Sequence, residues 1–544
     1  MSSHQSFFPA AEVNSWRALV TKLLKGASPE SLARCDEDGL AVPAFYNITT
    51  TDHSGGSVVP MGPTADKRLA HGWDIAQPVI AVHAGDRQSI LAANQVILDA
   101  VNSGASSLVL FIDDASADHF DLLFDQIAMS AIAIQIYGGN DTASVMQKFS
   151  AFAGDRLADI QINAGVNPLR DGDDALNAGF ALCDAHMAPN GAFNFDGWDL
   201  HNRGHSAAAE IGIVLAGLAA LLGHMADRDP AQIISSSIVT LALPADSFLG
   251  IAKIRALRIG WAGLCDAFGL DHYPLFITGI TSLRMASVLD QDTNMLRNSS
   301  ALLGGAIGGV DRMAGFAHDA LGAETEDGRR LTRMTQLMMI EESGLAHTLD
   351  PAAGAPFFEQ RSDDLAVAGW TIMQQIWVAG GINQALQSGV IGQLADAAIA
   401  KRNAALSSGQ DQLVGVTLQP TNDAPVTTGP LYDLLTGLRR PAEMVEALRR
   451  AQSNKRILIV RARESDPAEE RAIRKWLAIA GLTAVTLPDD NGDDIATAAP
   501  DVVIMGTNVQ SNVLAAPAHI IAAADILRSD DQLGILADMI GRHS

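Results

Sequence analysis

Between about residue 40 and about residue 400, short apolar runs alternate with longer stretches whose apolar positions recur at helical spacing. The runs are Val79–Val82, Leu108–Ile112, Ile132–Ile136, Ile160–Ile162, Phe193–Phe195, Ile238–Leu241 and Leu275–Thr278. Strand-length apolar segments separated by helices are the signature of βα units, and about eight of them predict a closed (β/α)8 TIM barrel, with any chemistry on the loops after the strands. The pattern ends in a helical stretch around Trp370–Ile382. Ser407-Ser408-Gly409 and Pro420 to Pro425 then read as linker. A second alternating region, with apolar runs Ile457–Val460, Ala484–Leu487 and Val502–Met505 and a helix over Ala468–Ala480 stopped by Gly481, predicts a small flavodoxin-like, doubly wound α/β domain. Ahead of the barrel, Trp16, Leu19, Val20, Leu23 and Leu24 fall on one helical face, with Lys22 and Lys25 opposite and Gly26 as the stop. This amphipathic arm packs either on its own domain or on a partner subunit. The expected division is an arm over 1–39, the barrel over 40–400, a linker over 401–453 and the second α/β domain over 454–544.

Composition narrows the functional classes. At 544 residues and 48% hydrophobic, the chain is long enough for two cores. A formal charge of -25 disfavours nucleic acid and anionic lipid, both of which reward dense Lys and Arg. Cys35, Cys183 and Cys265 are far apart without CxxC spacing, which fits a reducing cytoplasm and excludes a zinc ribbon. No charged leader precedes an apolar core, and the longest apolar run, Ile211–Gly223, is too short for a bilayer and predicts a buried helix.

One ordered series of residues adds an identity to this outline: Thr281-Ser282-Leu283-Arg284-Met285, Asp290, Asn294-Met295-Leu296-Arg297, Gly308-Gly309, Glu341-Glu342-Ser343 and Asp350-Pro351. With Asp38-Gly39-Leu40, Pro43 to Tyr46, Gly72 to Gln77, Ile251 to Ala256 and Val414-Gly415-Val416, it resembles the methylmalonyl-CoA mutase family over nearly the whole chain. That resemblance implies a barrel that encloses an acyl-CoA and a C-terminal flavodoxin-like domain that holds adenosylcobalamin. Gly308-Gly309 predicts a tight turn or close backbone approach, and Asp350-Pro351 turns the chain out of a helix. Arg284, Arg297 and Asp290 are candidates for one polar network in the barrel mouth, either fixing loops by buried ion pairing or serving a ligand.

The departures from the family pattern fall on the chemistry. The DxHxxG motif, whose His ligates cobalt, aligns with Ser465, Pro467 and Glu470. Proline has no lone pair for a metal, serine cannot be the carboxylate that orients a ligating ring, and Glu470 stands where glycine admits the corrin tail. Thr507, Asn508 and Ser511 occupy the second binding loop, while His519 and His543 stand away from the motif. In the barrel, Asp159 to Pro168 replaces a TIQND-like segment and Leu289 replaces a Gln before the Asp. Met61 to Lys67 lacks the Tyr of catalytic members, and Tyr46 belongs to an earlier landmark. His201, with His205 as the rival alignment, is the remaining catalytic candidate, near a family position whose His hydrogen-bonds the substrate thioester carbonyl.

A retained fold with eroded cofactor and substrate groups is similar to the small, noncatalytic subunit of the family's heterodimeric members. It implies a catalytic large subunit as partner, adenosylcobalamin on that partner, and no cobalamin, metal or catalytic residue on this chain. Two other readings are a divergent mutase barrel that borrows a cobalamin domain from another chain, and an acyl-CoA-binding accessory protein.

Overall fold

In the computed structural model, residues 13–47, 62–82, 87–139, 142–185, 191–225, 227–421, 425–451, 455–462, 466–488, 498, 500–509 and 519–541 are described. Eight parallel strands form the larger sheet: β1 (Asp74–Ala81), β2 (Ser107–Ile112), β3 (Ala133–Tyr137), β4 (Ile162–Asn163), β5 (Phe193–Asp196), β6 (Ser237–Leu243), β7 (Phe276–Thr281) and β8 (Arg312–Ala314). Their spatial order is β4-β3-β2-β1-β8-β7-β6-β5. The two ends of that order meet through the bridge Val166↔Phe193, so the sheet closes on itself. This is the expected TIM barrel. The strand that no apolar run announces is β8, which is three residues long and begins with a buried arginine.

The second sheet has four parallel strands, β9 (Ile457–Arg461), β10 (Ala484–Pro488), β11 (Val502–Met505) and β12 (His519–Ala522), in the order β10-β9-β11-β12. The order reverses between β9 and β11, as in doubly wound domains.

The helices that matter below are α1 (Val13–Leu23), α2 (Ala65–His71), α3 (Gly197–Asn202), α4 (Ala207–His224), α5 (Ser247–Phe268), α6 (Gln291–Gly308), α7 (Glu326–Glu341), α8 (Pro356–Val378), α9 (Pro430–Leu434), α10 (Ala442–Arg450) and α11 (Pro467–Ile479). Helix α4 contains the apolar run Ile211–Gly223 and is nearly all buried, as its uniform hydrophobicity requires. Among the described residues it is also the single continuous helix long and apolar enough, by length and composition, to cross a membrane. Ion pairs tie the outer layer together. Arg255 on α5, 1% exposed at its side chain, pairs with Glu359 on α8 at 2.9 Å and with Asp350. Gly309 ends α6 in the left-handed region (φ 85°), and a Cβ on Gly308 would press into Ile254, so the glycine pair serves both a turn and a close approach.

The region between the sheets is more ordered than its Ser, Gly and Pro content suggests. A helix covers Val390–Ser407, and α9 and α10 follow. The segment is strapped to the barrel's loops by Val426 N donating to Val288 O (3.0 Å), Gly429 N to Leu321 O (2.9 Å) and Arg439 N to Asn202 O (2.9 Å). Leu289, from the loop after β7, sits in the core of the second domain with Leu406, Val416, Val445 and Ile459. The departure from Gln at this position thus has a packing reason. Asn422, Asp423 and Ala424 lie outside the described residues.

Helix α1 has no buried residue, and its Leu19 and Leu23 are 65% and 81% exposed. Its Trp16 stacks on Phe45 at 4.5 Å. The arm is therefore not sunk into its own domain.

Candidate functional site

The carboxyl ends of β5, β6 and β7 bring together the residues that the sequence singles out. Gly204 (φ 117°) and the short helix α3 turn the chain so that His201 and His205 both point into protein, where they are 3% and 2% exposed. His205 faces a backbone carbonyl at each ring nitrogen, Leu200 O at 2.7 Å from Nδ1 and Ile391 O at 2.9 Å from Nε2, and its neutral ring donates to one of them. His201 Nε2 is 2.9 Å from Ser282 Oγ. Its Nδ1 lies 3.3 Å from Glu210 Oε2, at an angle that leaves Nδ1 without a hydrogen bond. Burial, followed by the nearby Arg284 and Lys253 charges, holds the His201 imidazolium well below its usual range, so the ring is neutral.

Ser282, His201 and Glu210 line up as in a nucleophile–base–carboxylate row, but the electrostatics are those of a brace. Lys253 Nζ donates to Glu210 Oε2 at 2.8 Å and to Ala242 O, and Glu210 Oε1 accepts from Ala242 N at 3.1 Å. The carboxylate is therefore satisfied by an ammonium, and Ser282 itself is 2% exposed. Glu210, Lys253 and Ser282 lie far apart in sequence, and a charged residue inside an apolar helix pattern is the signal that marks the first two.

The expected network of Arg284, Arg297 and Asp290 separates into two. Arg284 Nη1 donates to His201 O (3.2 Å) and His205 O (2.7 Å). Arg297 donates to Asn294 Oδ1 and Val414 O, while Asp290 caps α6 by accepting from Thr293 N at 3.1 Å. Both halves fix loops.

The barrel axis is filled. Thr278 Oγ1 on β7 donates to Gln135 Oε1 on β3 at 3.0 Å, and Gln135 Nε2 donates to Thr240 Oγ1 on β6 at 2.9 Å. β3 and β7 stand diametrically opposite in an eight-strand ring, so this bond spans the axis. Toward the carboxyl ends, Phe111, Tyr137, Trp198 and Phe316 pack ring to ring, with centroids 4.8 Å apart for Phe111–Tyr137 and 5.8 Å for Trp198–Phe316. Leu431 of α9 and Leu438 close over them. At the opposite end, Thr64 Oγ1 donates to Asp311 Oδ1 at 2.6 Å, Lys67 pairs with Asp74 at 2.5 Å, and Arg68 on α2 reaches Ala306 O and Val310 O. The 62–67 part of the altered segment thus seals the strand-start end, and Met61 lies outside the described residues. Of the residues in the TIQND-like region, Asn163 Nδ2 donates to Phe193 O (3.1 Å) and its Oδ1 accepts from Gly165 N (3.0 Å), so this amide is spent on the backbone.

Asp196, at the end of β5, caps α3 by accepting from Asp199 N at 3.1 Å. Burial first, and then the Asp199 charge, push its carboxyl up to about 8. A folded-state value above the unfolded one favours folding most at low pH, and that contribution is lost as the pH climbs from about 4 to about 8. Asp196→Asn removes the titration and keeps a capping acceptor. The variant's stability relative to the parent is expected to rise between about pH 5 and about pH 8, toward a limit of about 1.4 kcal/mol per pH unit. Thermal melts across that range check it, and a difference that does not vary with pH refutes it.

The second domain offers the switch-point crevice between β9 and β11 where doubly wound folds take ligands. Among the described residues, the motif positions offer no imidazole for cobalt. Pro467 is the first residue of α11, its nitrogen locked in a tertiary amide, and Asp466 caps the helix through Ala468 N at 2.8 Å. Glu470 is held by the Thr486 hydroxyl at 2.7 Å and then by Arg474 at 2.9 Å, which keep its carboxyl below the usual range. Glu469 reaches across the crevice and accepts from Thr507 N at 3.1 Å and Thr507 Oγ1 at 2.5 Å. The chain's own carboxylate occupies the loop amide that a ligand would use. Asn508 follows in the same loop with φ 67°, and His519 is exposed on β12. Ser465, Ser511 and His543 lie outside the described residues. Among the described residues, no group of three or more His, Cys, Asp or Glu side chains could hold a metal ion.

Comparison with known proteins matches residues 112–459 to the family described as methylmalonyl-CoA mutase. The methylmalonyl-CoA mutase small subunit of Streptomyces virginiae is 27% identical over 460 residues, 78% of this chain and 73% of that protein. The small subunit of Propionibacterium freudenreichii subsp. shermanii is 25% identical over 447 residues, 76% of this chain and 69% of that protein. The methylmalonyl-CoA mutase of Escherichia coli strain K12 is 28% identical over 245 residues, 43% of this chain and 34% of that protein.

Proposed function

Because this chain belongs to the methylmalonyl-CoA mutase family, we propose that it is the small, noncatalytic subunit of a heterodimeric mutase. In this reading the catalytic large subunit carries adenosylcobalamin and interconverts methylmalonyl-CoA and succinyl-CoA, and this chain supports it as a folded scaffold. The observation that carries the reading is the Thr278–Gln135 hydrogen bond across the barrel axis, beneath four packed rings. A bond from wall to wall at this level speaks against threading of the barrel by a pantetheine arm. The Glu469–Thr507 tie supports the same reading in the second domain. Both features weigh against a divergent active barrel and against an acyl-CoA-binding accessory protein. The exposed Leu19 and Leu23 of α1 support a partner contact, since an isolated amphipathic helix gains little stability without one.

Coexpression with a catalytic homologue is expected to give a 1:1 complex by size-exclusion chromatography with light scattering. Titration of the isolated chain with adenosylcobalamin and methylmalonyl-CoA is expected to give neither a corrin absorbance shift nor turnover. Corrin uptake with isomerisation by the isolated chain would overturn the proposal, as would a chain that stays monomeric beside a catalytic homologue.

A further inference from the structure

The Val390–Ser407 helix and the start of α10 leave between them a cleft of about 80 Å³, open to solvent, with room for several waters or one tetrahedral oxyanion. Its polar walls are Arg402 and Asn403 on one side and Arg439, Arg440 and Glu443 on the other. The three guanidinium groups differ in how far each is neutralised. Arg440 is held on two prongs by Glu446. Its buried Nε makes no hydrogen bond, although Glu443 Oε1 lies 3.4 Å away. Glu443 gives that oxygen to Tyr432 Oη instead, which donates to it at 3.1 Å.

Arg402 is half-buried, pairs with Glu37 and donates to Gly204 O at 2.7 Å. Burial, and then the Arg284 charge, hold its guanidinium down to about 10, so an anion beside it would relieve a repulsion. Arg439 is exposed, and among the described residues its side chain has neither an acid nor an acceptor; its backbone N–H alone is used, on Asn202 O. The Asn403 amide is likewise unbonded among the described residues. The first turn of α10 lines the same cleft through Glu443 and Met444. That helix begins at Ala442 behind Pro441 with no side-chain cap, so its leading N–H groups lack a side-chain acceptor. An uncapped helix start beside a free guanidinium suits a phosphate, which takes backbone N–H donors and two parallel charge-assisted bonds.

We propose that this cleft binds a phosphate dianion, free or as the terminal group of a monoester, between Arg439 and Arg402, with Asn403 and the start of α10 completing the donor set. The site shares no residue with the barrel axis or with the crevice between β9 and β11. Bound there, the anion joins α10 to the Val390–Ser407 helix, at the junction that Arg440 and Glu446 already hold.

The test titrates the full chain with inorganic phosphate at an ionic strength fixed with chloride, following the melting temperature and the phosphorus NMR line width. A saturable response is expected, larger than any given by acetate. Arg439→Gln is expected to weaken the apparent affinity at least about tenfold, and Asn403→Asp to weaken it by placing a like charge on the wall. Arg471→Gln, which removes an exposed arginine of α11 away from the cleft, is expected to leave it unchanged. Circular dichroism of each variant separates lost binding from lost fold. Glycerol phosphate distinguishes the sources: binding as tight as that of phosphate assigns the site to an ester, and phosphate binding without it assigns the site to the free ion. Absence of a saturable response, an equal response to acetate, an affinity that Arg439→Gln leaves intact in a folded chain, or an equal loss in Arg471→Gln overturns the proposal. The titration needs no partner chain, so its outcome is independent of the subunit reading.

Discussion

Lys253→Met is expected to destabilise the chain by about 3–5 kcal/mol, because it leaves the fully buried Glu210 without its cation, so that the carboxyl must either carry an unpaired charge or take up a proton to fold. Both side chains are at the limit of burial, 1% and 0% exposed. Glu210 ties α4 to the end of β6 through Ala242 N, and Lys253 ties α5 to the same residue through Ala242 O. The pair is a brace shared by two helices and one strand. Denaturant titration measures the loss, and a reduced soluble yield is expected beside it. The companion variant Glu210→Leu/Lys253→Met removes both charges and is expected to recover most of the stability, since a buried pair replaced by apolar groups of similar size is often neutral. A double variant as unstable as the single one would show that packing, and not the orphaned charge, sets the cost.

The same physics acts at the junction of the two domains. Arg440 and Glu446 are both 0% exposed at their side chains and form a two-pronged pair, with both guanidinium–carboxylate distances at 2.8 Å. Glu446 Oε1 also accepts from Ser287 Oγ at 3.1 Å and Val288 N at 3.0 Å, both on the loop after β7. Arg440→Met is expected to cost about 3–5 kcal/mol by the same argument, but with a local outcome. The loss falls on the contact between α10 and the barrel, so limited proteolysis is expected to cut within residues 408–451 under conditions where the barrel stays intact. Cleavage that appears only with global unfolding would mean that the latch does not act separately.

Much of the architecture is legible in the sequence because strands buried on both faces must read as apolar runs, and seven of the eight barrel strands do. The eighth escapes because Arg312-Met313-Ala314 is short and begins with a buried charge. The bridge across the axis leaves a fainter trace. Gln135, Thr240 and Thr278 are polar residues set inside otherwise apolar strands, a position that requires a partner when buried. Which partner each one finds is set by barrel closure, and periodicity carries no information on that. The Glu469–Thr507 tie is similarly invisible, since it joins residues 38 apart whose meeting depends on strand order. The region over 401–453 reads as linker from its Ser, Gly and Pro content. Its anchors on the barrel include two widely spaced leucines, Leu431 and Leu438, and the buried Arg440, too sparse to form a recognisable pattern.

The bond that crosses the barrel has a thermodynamic corollary. A protein that admits a metabolite into its folded form is stabilised by it in proportion to how far the free concentration exceeds the dissociation constant. Under the proposed function, with Gln135 and Thr278 joined through the centre, an acyl thioester is expected to leave this chain's melting temperature unchanged. On that reading its stability does not follow the concentration of the thioester, and a thermal shift on adding methylmalonyl-CoA would refute it.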